Sequence, residues 1–142
     1  MSYDLAVFDS RLELRDPKKF YHWYDERTEW EDEIDYNDPT NLTPSLRAWF
    51  EDVIKSFPPL NGPFTYRGDD EECQQRQADF TLGRDIIYIA FSWPTAEDAY
   101  NACLKLAEKH GVGFFDASGD EGAAWFPNDS GMLEIVHKAN DE

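Results

Sequence analysis

The period of the hydrophobic positions changes several times along the chain, and each change marks an element. Tyr3, Leu5 and Val7 alternate with Ala6 and Phe8 before Asp9-Ser10 ends the run. With apolar residues on both sides of the alternation, this segment reads as a first strand buried on both faces. The period then lengthens. Asp16 is a good N-cap, Pro17 suits the first helical position, and Phe20, Trp23, Tyr24, Arg27 and Trp30 recur at the spacing of one helical face. The acidic stretch Glu31 to Pro39 follows, and the helix is expected to end by about Ile34. Thr43-Pro44 repeats the start signal. Leu46, Trp49, Phe50, Val53, Ile54 and Phe57 form the cleanest amphipathic stripe in the chain, which Pro58-Pro59 ends.

Asn61-Gly62-Pro63 predicts a turn, and the polar stretch Tyr66 to Ala78 around Asp69-Asp70-Glu71-Glu72 predicts a mobile loop. Phe80-Thr81-Leu82 and Ile86 to Trp93 flank Gly83-Arg84-Asp85, the pattern of an antiparallel hairpin. On the second of these strands Ile87, Ile89, Phe91 and Trp93 share one face, while Ile86, Tyr88 and Ala90 line the other. Thr95 with Asp98 gives a capping box for a third helix, and Gly111 closes it. Val112 to Phe115 resumes a strand. Ala123 to Phe126 is a further candidate strand, and Met132 to His137 reads as an edge strand or a last helical turn.

This order predicts one α+β domain over residues 1–142, with an antiparallel or mixed sheet and about three helices. Treating the second helix as an insertion gives the split βαβ arrangement of a ferredoxin-like sheet. The length is that of a single core, and tryptophans at 23, 30, 49, 93 and 125 supply large rings to fill it.

Charge changes the functional picture more than the fold. Thirty Asp and Glu stand against 13 Lys and Arg, a formal net charge of −17. Such a field repels nucleic acid and anionic membrane and attracts a basic protein. Cys73 and Cys103 lie in unlike settings and do not form a disulfide framework. The opening Met1-Ser2-Tyr3-Asp4 lacks a basic region followed by an apolar one, and no apolar run is long enough to cross a bilayer. A cytoplasmic address is the expectation.

Catalytic spacings are incomplete throughout. There is no Gly-x-Ser-x-Gly, His-Glu-x-x-His, Cys-x-x-Cys or phosphate loop. Gly111-x-Gly113 meets Asp116 where a dinucleotide fingerprint needs glycine. The loop Asp116 to Glu121 offers oxygens at alternate positions, but Glu121 and Pro127 stand where a calcium loop needs glycine and glutamate. His22, His110 and His137 share no ligand spacing. Carboxylates are so abundant that no particular acid/base pair stands out. The expectation is a non-enzymatic protein without a cofactor or bound metal.

The constellation that remains is acidic and aromatic. Glu29, Glu31, Asp32, Glu33 and Asp35 surround Trp30 and Tyr36, a composition suited to a basic partner because aromatic anchors supply desolvated contacts while rim charges set rate and specificity. The bland alternative is a solvated helix end with Trp30 packed in the core.

Three further stretches, Ser2 to Asp9, Phe57 to Pro63 and His110 to Asp116, resemble small acidic bacterial proteins of poorly characterised families. Some of these are regarded as immunity proteins of polymorphic toxins, of the contact-dependent or type VI kind. The resemblance spans most of the chain and rests on turn and strand signatures, so it assigns no site residue. It implies a cytoplasmic inhibitor that binds and neutralises one toxin or effector domain. The other reading kept open is a domain binding a small molecule or divalent metal through the Asp116 to Glu121 loop.

Overall fold

The computed structural model describes residues 2–119 and 122–138. Six strands, β1 (Ser2–Phe8), β2 (Asp79–Leu82), β3 (Ile86–Ser92), β4 (Gly113–Phe115), β5 (Ala124–Pro127) and β6 (Leu133–His137), form one antiparallel sheet in the order β2-β3-β1-β4-β5-β6. The helices are α1 (Pro17–Arg27), α2 (Pro44–Val53), α3 (Glu71–Gln75) and α4 (Ala96–His110). The fold class is α+β.

The strand order explains the split βαβ expectation. β3 lies between β1 and β2, and β1 lies between β3 and β4, so two crossover units interleave; β5 and β6 then extend the sheet past β4 by hairpins. β1 is the centre, running from Ser2 opposite Ser92 to Phe8 opposite Ile86. Its alternation sends Leu5 and Val7 into one core and Ala6 and Phe8 into another.

The two cores identify which helix stands outside the split βαβ frame. α2 and α4 pack on the Leu5 and Val7 face, with Leu46, Trp49, Phe50 and Val53 from α2 meeting Ala99, Cys103 and Ala107 from α4. The opposite face belongs to α1, so the inserted helix is the first, not the second. α1 reaches the sheet through rings: Phe20 packs 5.3 Å from both Phe8 and Phe115, and Tyr24 lies 4.6 Å from Phe115. Large rings let a helix with a single fully buried residue, Phe20, cover a sheet face.

Local signals hold at most starts and fail at several stops. Asp16 and Thr43 stand at the N-cap positions, each followed by proline, though neither side chain caps; their carbonyls accept from Phe20 and Arg47. Gly111 ends α4 at φ 67°, the left-handed conformation that glycine adopts without a Cβ clash. α1 stops at Arg27 rather than near Ile34. Trp93 does not continue β3: Pro94 follows it, the chain makes a 3-10 turn over Trp93–Thr95, and the indole turns outward. The Thr95 hydroxyl bonds to the Ser92 carbonyl at 3.1 Å instead of capping α4, and Asp98 pairs with Arg76 at 3.6 Å. Of the stretch Met132 to His137, Leu133–His137 forms an edge strand rather than a helical turn.

The stretch expected as a loop contains α3. Asp70 caps it by accepting from the Cys73 backbone at 3.0 Å, and Arg76 ties its end down, donating to the Ser56 carbonyl at 2.9 Å with its guanidinium 4.3 Å from the Phe57 ring. Both cysteines are free, Cys73 half-buried and Cys103 buried in the α2–α4 core. Among the described residues no helix is long and apolar enough to cross a membrane.

Candidate partner-binding site

The segment after α1 is shaped by a tryptophan in an unusual conformation. The Thr28 hydroxyl donates to the Tyr24 carbonyl at 2.9 Å, and the Glu29 and Trp30 amides reach back only three residues, tightening the last turn. Trp30 then adopts φ 53°, the only positive φ among the described non-glycine residues. A bulky side chain there costs about 1–2 kcal/mol, and packing offsets it. The indole lies 5.5 Å from the Tyr36 ring and 6.1 Å from Tyr88, and it passes over Gly83, where an added Cβ would sit 3.7 Å from it.

Tyr36 closes the loop. Its hydroxyl accepts from the Asp32 amide at 2.9 Å and lies 3.2 Å from the Asp32 carbonyl, while its own carbonyl accepts from Leu82 at 2.8 Å, fastening the segment to the end of β2. Asn41 adds a bond to the Asp35 carbonyl at 2.7 Å. The acidic segment is therefore an ordered arch over the β2–β3 hairpin.

Its carboxylates divide by what they do. Asp35 accepts from the Asn37 amide at 2.9 Å, and Asp38 caps the 3-10 turn at Pro39–Asn41. Asp32 lies 3.8 Å from Arg27, whose other nitrogen is 3.2 Å from Asp85. Glu26 pairs with His22 at 2.6 Å. The side chains of Glu29, Glu31 and Glu33 are exposed, and their carboxylates take part in no hydrogen bond or ion pair among the described residues.

Beneath the arch is a cavity of about 370 Å³. Glu29, Trp30, Glu31, Asp32 and Tyr36 line it, while Glu33 and Asp35 do not. Gly83, Arg84 and Ile86 complete the wall from the hairpin, and Arg27 from the end of α1. These residues carried no signal of their own in the sequence: Gly83-Arg84-Asp85 reads as a turn, and only folding brings it under Trp30. An aromatic wall with a carboxylate rim accommodates a cationic side chain. Arg27 is already neutralised by Asp32 and Asp85, which leaves Arg84 as the opposing charge at the rim.

The other candidates stay apart. His22 is on the exposed face of α1 with Glu26, and His110 at the end of α4 lies 2.6 Å from Asp52 of α2. His137 is fully buried, with Nε2 2.7 Å from the Leu14 carbonyl and its ring 5.4 Å from both Phe20 and Phe126. In the Asp116 to Glu121 loop, Asp116 accepts from the Tyr3 hydroxyl at 2.7 Å; Asp120 and Glu121 lie outside the described residues. Among the described residues no group of three or more His, Cys, Asp or Glu is placed to hold a metal ion. In comparisons with known proteins, no family model, no curated protein and no solved structure matches the chain.

Proposed function

We propose that this protein is an immunity-type inhibitor that binds and neutralises a basic toxin or effector domain in the bacterial cytoplasm. The observation that carries the reading is the arch: Glu29, Glu31 and Glu33 project without a neutralising partner from a loop fixed to the sheet by Tyr36 and packed on Trp30. A held loop loses little conformational freedom on binding, so its charges act at low entropic cost. The wider field of −17 steers a basic domain toward it. A toxin domain that attacks nucleic acid carries the positive surface such a field attracts, and an acidic cover competes with its substrate.

The test is capture of the partner on the tagged chain at low salt, followed by a charge-reversal variant. One basic protein should bind in stoichiometric amount, leave as salt rises, and be toxic to cells that lack this chain. Glu29→Lys, Glu31→Lys and Glu33→Lys combined should lower its affinity by about tenfold or more at low salt. Undiminished binding by that variant would remove this surface, and a captured protein whose activity the chain leaves unchanged would remove the inhibitor reading.

A further inference from the structure

At the other end of the central strands, where Ser2 faces Ser92, the chain builds a second pocket that the arch does not involve. Pro94 ends β3 and sends the chain into the 3-10 turn before α4, leaving the Trp93 indole 49% exposed. Tyr3 stands against it edge to face, with centroids 5.3 Å apart and planes at 84°. Tyr100, one turn into α4, supplies a third ring, and Ala96 and Glu97 complete a pocket of about 260 Å³.

Two of the three rings are braced from behind. The Tyr3 hydroxyl donates to Asp116 at 2.7 Å, and the Tyr100 ring packs at 89° on the buried Phe114, with centroids 5.3 Å apart. Burial, and then the charge of Asp116, push the Tyr100 phenol up from its ordinary value, so it stays neutral. The lining thus consists of three aromatic residues, Ala96 and one acidic residue, Glu97.

We propose that this pocket binds a quaternary ammonium group. Ring faces attract a cation through their quadrupole, and Trp and Tyr do so best when the cation sheds water easily. A primary ammonium brings three donors and strong hydration, and this lining offers few acceptors for them. An alkylated ammonium has no donors to satisfy and buries its methyl groups against the rings, while Glu97 balances its charge. The volume lies below the roughly 300–1,000 Å³ of drug-sized sites, which fits a head group rather than a larger ligand. This inference stands apart from the inhibitor reading, since the two sites share no residue.

The experiment is titration of the full chain with choline at constant ionic strength, followed by tryptophan fluorescence and calorimetry. 3,3-Dimethylbutan-1-ol, of the same shape without the charge, is the control. Choline should bind saturably and its neutral isostere at least about tenfold more weakly. Trp93→Ala and, separately, Glu97→Lys should each weaken choline by about tenfold with an unchanged far-UV spectrum; Glu97 is exposed, so its variant tests the site without disturbing the core. A trimethyllysine peptide in parallel assigns the source: tighter binding than choline points to a modified side chain, equal or weaker binding to a free small cation. Equal affinity for choline and the isostere, absence of saturable binding, or full binding by Trp93→Ala would each overturn the proposal.

Discussion

Trp30 is where a single residue shapes the molecule most visibly. At φ 53° its backbone favours glycine, while its ring holds Tyr36, Tyr88 and the surface of Gly83. These two demands can be separated. Trp30→Ala and Trp30→Gly lose the same ring contacts, but only alanine keeps a Cβ in the left-handed region. The glycine variant should therefore be the more stable by about 1 kcal/mol in urea denaturation, the reverse of the usual order of these two residues. An alanine variant at least as stable as the glycine one would mean that the backbone relaxes once the ring is gone. Gly113 shows the complementary constraint: a Cβ there would lie 2.2 Å from the Phe8 ring, so β4 approaches β1 closely only because that position has no side chain.

Between elements, α2 and α4 are joined by more than apolar contact. The Trp49 indole donates to the Cys103 carbonyl at 3.3 Å inside the core. At its margin Asp52 meets Lys109 at 2.9 Å, His110 at 2.6 Å and Lys55 at 3.3 Å. Lys109, His110 and Lys55, in that order of effect, hold the Asp52 carboxyl well below the usual carboxylate range. A carboxylate with a depressed folded pKa contributes stability that is fully present above the unfolded value, about 3.9, and lost as pH falls through the folded value. The urea midpoint of the native protein should thus drop more steeply on acidification below about pH 4 than that of Asp52→Asn, and the gap between them should narrow. A gap of constant size would assign the difference to packing rather than to the ion cluster. α3 makes a related point about weak signals. It lies in a polar stretch with no apolar periodicity, and Arg76, held over Phe57 and bonded to Ser56, supplies the anchor that the stripe of a longer helix would provide.

For the whole molecule, 30 acidic against 13 basic groups mean that repulsion outweighs attraction over most of the surface. Several basic groups are spent locally, Arg11 on Asp9 at 2.7 Å, Arg27 on Asp85 and Lys109 on Asp52, which leaves the excess negative charge unopposed. Raising the salt from about 0.01 M to 0.15 M shortens the Debye length from roughly 30 Å to 8 Å and should raise the melting temperature by a few degrees. A melting temperature that falls with salt would show the local ion pairs to outweigh the global repulsion. The same excess charge makes binding to any basic partner salt-sensitive, so affinity and stability should respond to salt in opposite directions.

The sequence by itself determined the elements whose cause is local. The two-sided apolar run of β1, the stripe of α2, the Gly83-containing hairpin and the Gly111 stop are readable because each depends on residues a few positions apart. It also determined the charge, and the acidic aromatic segment from Glu29 to Tyr36. Tertiary structure decided what depends on distant partners. α1 ends at Arg27 because Leu82 and Gly83 receive the chain that follows it, and α1 covers its own sheet face because Phe8, Phe115 and Phe126 wait for Phe20 there. Trp93 reads as a continuation of its strand and becomes the wall of a pocket with Tyr3 and Tyr100, residues 90 positions before it and seven after. Periodicity records which side of an element is apolar; which other element meets that side, and which rings are left facing water, is set only when the sheet order is chosen.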